Sequence, residues 1–216
     1  MALTQYKKKR SFQHTPEPTG GKGEGSVLHF VVQKHDASRL HYDFRLEMEG
    51  VLKSWAVPKG PSLNPADKRL AMMVEDHPYD YKDFEGIIPE GNYGAGTVII
   101  WDEGSYEPLE PSGDMKKDEK ALLKALRAGS LKVNLHGQKL KGEFALVRLK
   151  SAEDNAWLLI KHNDKYAKET DITTKGKSVV SGKTIPQMEK APVKIYGSKT
   201  STPGTGAKSP AKKKKA

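Results

Sequence analysis

A mainly β protein is predicted: a sandwich or barrel of about eight short strands, one short helix laid over it, and disordered ends. Three observations carry this. Segments that alternate apolar and polar residues recur between positions 28 and 162, with Gly, Pro, Asn and Asp turns between them. A single segment with helical spacing interrupts the series. The C-terminal stretch TSTPGTGAKSPAKKKKA lacks the large apolar side chains whose burial would offset its ordering entropy, and the Pro- and Gly-rich leader reads as irregular.

Taken in order, residues 1–25 form a basic, Pro- and Gly-rich leader in which the stretch TPEP is expected to pack. Residues 26–189 are expected to form the domain. Its strands are placed near 28–34, 40–49, 51–58, 69–76, 97–102, 130–136, 141–149 and 156–162. The helix is DMKKDEKALLKALRAG: Asp114 is its N-cap, Ala121, Leu122, Ala125 and Leu126 share a face, and Gly129 stops it. Trp55, Trp101 and Trp157 lie in strand contexts and belong to the core. The connector from Pro78 to Gly96 is long for a compact domain, and long ordered loops often carry function. Residues 190–216 are a low-complexity, Lys-rich tail, predicted to be disordered.

The chain has 216 residues, enough for one core plus tails, and no cysteine. Thiol chemistry and thiolate zinc sites are excluded, which leaves His, carboxylates and oxygens as metal ligands. No apolar run approaches a membrane span, and the basic N-terminus has no apolar stretch behind it, so a cytoplasmic, nucleoid-associated protein is expected. The net charge is +10. It resides at the ends: residues 190–216 carry eight lysines and no acid, residues 1–25 a net +3, and the body between them sums to −1. Two cationic arms on a neutral body suit polyanion binding, most simply nucleic acid, through phosphate contacts that release counterions.

The segment LHYDFRLEME alternates without error. Leu40, Tyr42, Phe44, Leu46 and Met48 face a core, so His41, Asp43 and Arg45 form a row on the other face, about 7 Å apart. A two-residue turn at Glu49–Gly50 pairs residues whose numbers sum to 99, placing Ala56 opposite Asp43 and Ser54 opposite Arg45. Small residues there leave room above the polar row. If the preceding strand sets 35 beside 41 and 33 beside 43, His35 and Gln33 join that face. Two imidazoles and a carboxylate then suit a first-row divalent ion with open positions. In RLAMMVEDHP, an unbroken strand would align Arg69, Ala71, Met73, Glu75 and His77, with Lys59 near the same rim. Arg45, Lys59 and Arg69 would neutralise phosphate oxygens. His14, His29, His136 and His162 are assigned to local hydrogen bonding.

The stretches QKHDASRLHYDFRL, SWAVPKGPS and VEDHPYDYKDFEGIIPEGNYGAGTVIIWDEGSYEP resemble the 3′-phosphoesterase domain of bacterial DNA ligase D and its stand-alone relatives, from about Tyr6 to Asn163. The resemblance implies a compact β-barrel and a manganese-dependent enzyme that trims DNA 3′ ends at primer-template junctions, removing a terminal ribonucleoside and then the 3′-phosphate; Zn²⁺ or Co²⁺ would also suit the ligands. With no ligase or polymerase domain alongside, a free-standing form is expected, working with a separate ligase, polymerase and end-binding protein. It places the metal ligands at His35, His41 and Asp43, phosphate binding at Arg45, Lys59, Arg69 and His77, and further active-site positions at Gln33, Glu75 and Tyr81. Arg10 and Glu17 match positions linked to the ribonucleoside step. Ser11 departs from an acid in the family, which bears on that same step. A non-catalytic DNA-end binding module and a cupin-like barrel acting on a small molecule are the rival expectations.

Overall fold

The computed structural model describes residues 3–10, 12–13, 15–21, 23, 25–150 and 155–192. Ser11, His14 and most of the Lys-rich tail lie outside the described residues. The strands are β1 (Leu28–Asp36), β2 (Leu40–Met48), β3 (Val51–Val57), β4 (Lys68–Pro78), β5 (Gly86–Ile88), β6 (Gly96–Pro108), β7 (Ser130–Gly137), β8 (Lys141–Arg148) and β9 (Ala156–Lys161). Two antiparallel meanders, β1–β4 and β6–β9, join through β4–β9 and β1–β6, closing an eight-stranded barrel. The short β5 pairs with the start of β6 outside that ring. The expected eight strands are thus the barrel; β5, with only three residues, gives no periodicity to read.

The β2–β3 register is the one the alternation demands, with Met48 beside Val51, Phe44 beside Trp55 and Asp43 beside Ala56. A two-residue hairpin loop of type I′ needs positive φ at both central positions. Glu49 (φ 55°) and Gly50 (φ 70°) supply it. A left-handed glutamate costs about 1–2 kcal/mol, and it is held by its N–H donating to the Glu119 carboxylate at 2.7 Å. That carboxylate sits on α2 (Met115–Ala128), whose Asp114 cap accepts from the N–H groups of Lys116 and Lys117 and whose C-terminus ends on left-handed Gly129. Leu122 and Leu126 press this helix onto the barrel end.

Inside, Phe30, Phe44, Trp55, Trp101, Phe144 and Trp157 are essentially inaccessible to solvent. The barrel lumen is therefore filled, and no ligand can enter it. Polar groups on the odd positions of β1 and β2 lie on the outer face. There they are roofed by a second apolar cluster of Tyr6, Leu52, Tyr81, Phe84, Ile88 and Val98. Tyr6 belongs to α1 (Thr4–Lys8) of the leader, and Tyr81 to a 3₁₀ turn (Tyr79–Asp83) of the long connector. The leader helix has no sequence signal, because TQYKK holds one apolar side chain and no period. A closing helix α3 (Ile185–Lys190) packs Ile185 and Met188 on Ile99. No described helix is long and apolar enough to cross a membrane.

The β4 strand departs from expectation. The β3–β4 register shifts between Leu52 and Ser54, so β4 bulges, and an extra residue flips the side-chain phase. Ala71 and Met73 stay with the core, whereas Glu75 and His77 face the outer cleft. The predicted single row from Arg69 to His77 does not exist.

Phe44 stacks on Phe30 at 6.3 Å between ring centres and meets Trp55 at 6.4 Å. Phe44→Ala should lower the unfolding free energy by about 3–5 kcal/mol, read as a drop in the urea midpoint at constant slope.

Candidate active site

Register brings the polar row together. Gln33 pairs with Asp43 and His35 with His41 across β1 and β2, so four side chains of alternating phase share one outward patch. Gly94 backs it from the connector, the position of a β-carbon there lying 3.8 Å from the His35 ring. The resulting cleft, about 280 Å³, is lined by Arg10, His35, His41, Asp43, Arg45, Ala56, Glu75, His77, Tyr81 and Tyr93 among others. Ala56 gives the space expected of it.

Arg45 organises the floor. Its Nε donates to Gln33 Oε1 at 2.7 Å, Nη1 to Ser54 Oγ at 2.9 Å and Nη2 to Asp43 Oδ2 at 3.0 Å. Its guanidinium also lies over the Tyr81 ring at 4.8 Å. Gln33 is fixed in turn, its Nε2 donating to the carbonyls of Tyr81 and Phe84, both at 2.9 Å. Ser54, which the sequence marks only as small, is thus an acceptor for Arg45. Burial alone would raise the Asp43 carboxyl, but Arg45, His35 and His41 hold it well below the usual carboxylate range. Asp43 is therefore ionised at any working pH.

The ligand atoms of His35, His41 and Asp43 all lie within 4.8 Å of one another. Donors about 2.1 Å from a shared ion are at most about 4.3 Å apart, so a small side-chain adjustment suffices. His41 Nδ1 donates to the Arg39 carbonyl at 2.9 Å, which leaves Nε2 as a lone pair 3.7 Å from Asp43 Oδ1. His35 Nε2 is buried without a partner. An orphaned imidazole nitrogen, an oriented second imidazole and an ionised carboxylate form a donor set that fits a divalent ion.

The leader closes the other wall. Arg10 Nε donates to Glu17 Oε1 at 2.8 Å, Nη1 to Glu75 Oε1 at 3.2 Å, and Nη2 approaches His77 Nε2 at 3.2 Å. Tyr81 donates its hydroxyl to the same Glu17 oxygen at 3.0 Å, and Lys9 pairs with Glu75 at 3.0 Å. His77 Nδ1 lies 2.8 Å from the Glu75 carbonyl, which only accepts, so Nδ1 carries the proton and Nε2 accepts from Arg10. Burial, then Arg45 and Arg10, push the His77 pKa well below that of free histidine. The ring is neutral here.

The structure thus joins Arg10, Glu17, Gln33, His35, His41, Asp43, Arg45, Glu75, His77 and Tyr81. It does not bring in Lys59, which is exposed two residues beyond Val57, or Arg69, whose Nη2 pairs with Asp67 at 2.8 Å. Neither lines the cleft. Tyr6 and Tyr93 join the site without a sequence signal: one sits in a helix with no period, the other is a half-exposed aromatic in a Gly-rich loop. Of the remaining histidines described, His29, His136 and His162 each bond a nearby glutamate.

Residues 33–148 match the family described as the DNA ligase D 3′-phosphoesterase domain. The multifunctional non-homologous end joining protein LigD of Pseudomonas aeruginosa is 48% identical over 191 residues, covering 85% of this chain and 22% of that protein. LigD of Mycobacterium tuberculosis is 46% identical over 148 residues, 68% of this chain and 18% of the relative. That of Mycolicibacterium smegmatis is 42% identical over 176 residues, 79% and 22% respectively. The chain spans about a fifth of the length of these relatives.

A histidine whose pKa is depressed by folding lends stability that is complete above its unfolded pKa, about 6.5, and is lost as pH falls toward the folded value. Unfolding free energy should therefore decline below about pH 6.5, and His77→Gln should flatten that limb by up to ~1.4 kcal/mol per pH unit. Urea titrations at stepped pH measure it; an unchanged limb would place the titration elsewhere.

Proposed function

This chain belongs to the DNA ligase D 3′-phosphoesterase domain family, and from that premise we propose that it hydrolyses phosphoesters at DNA 3′ ends with a divalent ion held by His35, His41 and Asp43. The observation that carries the reading is the convergence of those three ligands beside a buried arginine. Manganese is the proposed native ion, with zinc and cobalt as alternatives. When bound, it would act as a Lewis acid on a phosphoryl oxygen.

The protein's own contribution is positioning and charge. Among the described residues, Arg45 gives one N–H from each Nη to Ser54 and Asp43, which leaves one on each nitrogen for nonbridging phosphate oxygens. Because Gln33 and Ser54 fix the guanidinium beforehand, little reorganisation accompanies charge development at phosphorus. The His77 imidazole is a natural candidate for protonating the leaving 3′ oxygen, since a free imidazole titrates near neutral pH. Its neutral state and its Nε2 contact with Arg10 support a different role, that of orienting Arg10 against the substrate. Glu17 and Glu75 hold the same arginine from two other sides.

The substrate is proposed to be a primer-template or duplex end carrying a 3′-phosphate or a terminal ribonucleoside. Removal of either leaves a 3′-hydroxyl for joining by a ligase, with a polymerase and an end-binding protein as further partners. A cytoplasmic site of action is part of this proposal. The P. aeruginosa relative is described as a non-homologous end joining protein, which supports that setting. A binding module without turnover would have no use for an ionised, uncapped ligand set, so catalysis is the favoured reading.

His41→Ala should reduce manganese-dependent phosphate release from a 3′-phosphorylated primer-template by about 10²-fold or more and abolish tight manganese binding by calorimetry; a variant as fast as the parent refutes the ligand assignment. Chelation by EDTA should silence the parent, with activity returning on Mn²⁺ addition. For Ser11, release from a primer ending in one ribonucleotide should lag well behind release from a 3′-phosphate end, and equal rates would show that no acid is needed there.

A further inference from the structure

Folding gathers charge that the sequence sums leave hidden. The body carries a net of −1, yet a second cleft of about 540 Å³ at the barrel mouth is lined by Lys139, Lys141, Lys168 and Lys175, with Asp171 as its one acid. Asp171 is occupied locally, its Oδ1 accepting from the N–H and hydroxyl of Thr173 at 2.9 and 2.7 Å. Lys141, Lys168 and Lys175 are exposed and, among the described residues, have no carboxylate within ion-pair distance. Lys139 plays another part: its ammonium donates to the carbonyls of Trp101 and Lys175 at 2.6 and 3.2 Å and fixes the wall. Gln138, Tyr166, Thr170 and Thr174 supply neutral donors around the same space.

This cleft reaches the metal-ligand strand from its core side, near the end of the barrel where that strand begins. Trp101 Nε1 donates to the Lys175 carbonyl at 2.7 Å, and the Trp101 ring meets Tyr42, the residue between His41 and Asp43, edge-on at 5.2 Å. Thr173 stands near the same tyrosine at Gly60, where a β-carbon would meet both at 2.8 and 2.9 Å. Lysines mixed with Thr, Tyr and Gln donors are the usual inventory of phosphate-backbone contacts, which position a duplex without reading sequence. We propose that the lysine cleft grips the sugar-phosphate backbone of the duplex behind the 3′ end, setting how deeply that end enters the metal cleft. The inference rests on the DNA-end reading above and extends it to a second binding surface.

The test uses the full chain and the triple variant Lys141→Gln, Lys168→Gln, Lys175→Gln. Anisotropy with a fluorescent 3′-phosphorylated primer-template, at stepped NaCl from about 50 to about 200 mM, should show a log–log salt slope shallower by about 2–3 in the variant, about 0.9 for each phosphate no longer neutralised. KM for manganese-dependent phosphate release from that duplex should rise about tenfold at the same kcat, while turnover of a 3′-phosphorylated trinucleotide, which carries no duplex behind its 3′ end, stays at the parental rate. Equal salt slopes overturn the proposal, as does an equal fall in turnover of the trinucleotide. Should the parent release phosphate from neither substrate, the functional reading fails, and the anisotropy slopes alone still decide for or against the cleft.

Discussion

The arrangement depends on a buried guanidinium. Arg45 is 2% exposed and takes acceptors from three neighbouring strands: Gln33 on β1, Asp43 on its own β2 and Ser54 on β3. A charge removed from water is tolerated only when it is paired and hydrogen-bonded, so this set is over-determined. A one-residue slip of either neighbouring strand would send its acceptor into the filled lumen and strand the cation. The same network fixes Asp43 as an anion and, through the Gln33 amide, ties the barrel wall to the connector that roofs the site. Register, ligand ionisation and loop placement are consequences of one residue's need for partners.

A packed lumen forces the site outward, and an outward site on a barrel is flat unless something builds walls. The walls here come from segments outside the barrel. Tyr6 is completely buried against Tyr81 and His77, with ring centres 6.1 and 5.1 Å away, and its hydroxyl donates to the Pro18 carbonyl at 2.6 Å. This apolar anchor holds the leader, and the leader delivers Arg10 and Glu17. The connector contributes Tyr81 and Gly94. Such covers are added by tertiary packing, so their stability rests on a small second cluster rather than on the main core.

Legibility in the sequence follows from where the information is local. Alternation in LHYDFRLEME and the short turn after it determine the β2–β3 register, and that register alone groups Asp43, Arg45, Ser54 and Ala56. The β1–β2 connection needs only a parity argument to add Gln33 and His35. The bulge in β4 is different. Nothing in RLAMMVEDHP marks an extra residue, which shows only in the pairing with β3, and so periodicity aligns Arg69 with His77 when the phase between them is broken. The charge sums fail for a related reason: −1 over the body is an average over sequence, and the lysines of the mouth come from the β7–β8 turn and the segment after β9, far apart in the chain.

Charge balance in the candidate metal cleft bears on the proposal that a divalent ion and the protein's cations act together. Lys9, Arg10 and Arg45 carry three positive charges, and Glu17, Asp43 and Glu75 carry three negative ones, every cation being paired. Without anything added the cleft is neutral, and its cations are committed to holding the fold. A terminal phosphate carries about 1.5 to 2 negative charges and would enter such a site at the cost of its hydration. A divalent ion on His35, His41 and Asp43 would add the matching charge beside the two N–H donors that Arg45 keeps in reserve. On the proposed reading, the protein cations would orient the phosphate while the compensating charge would arrive with the ion, which would account for a ligand set with an ionised aspartate beside an arginine already committed to structure.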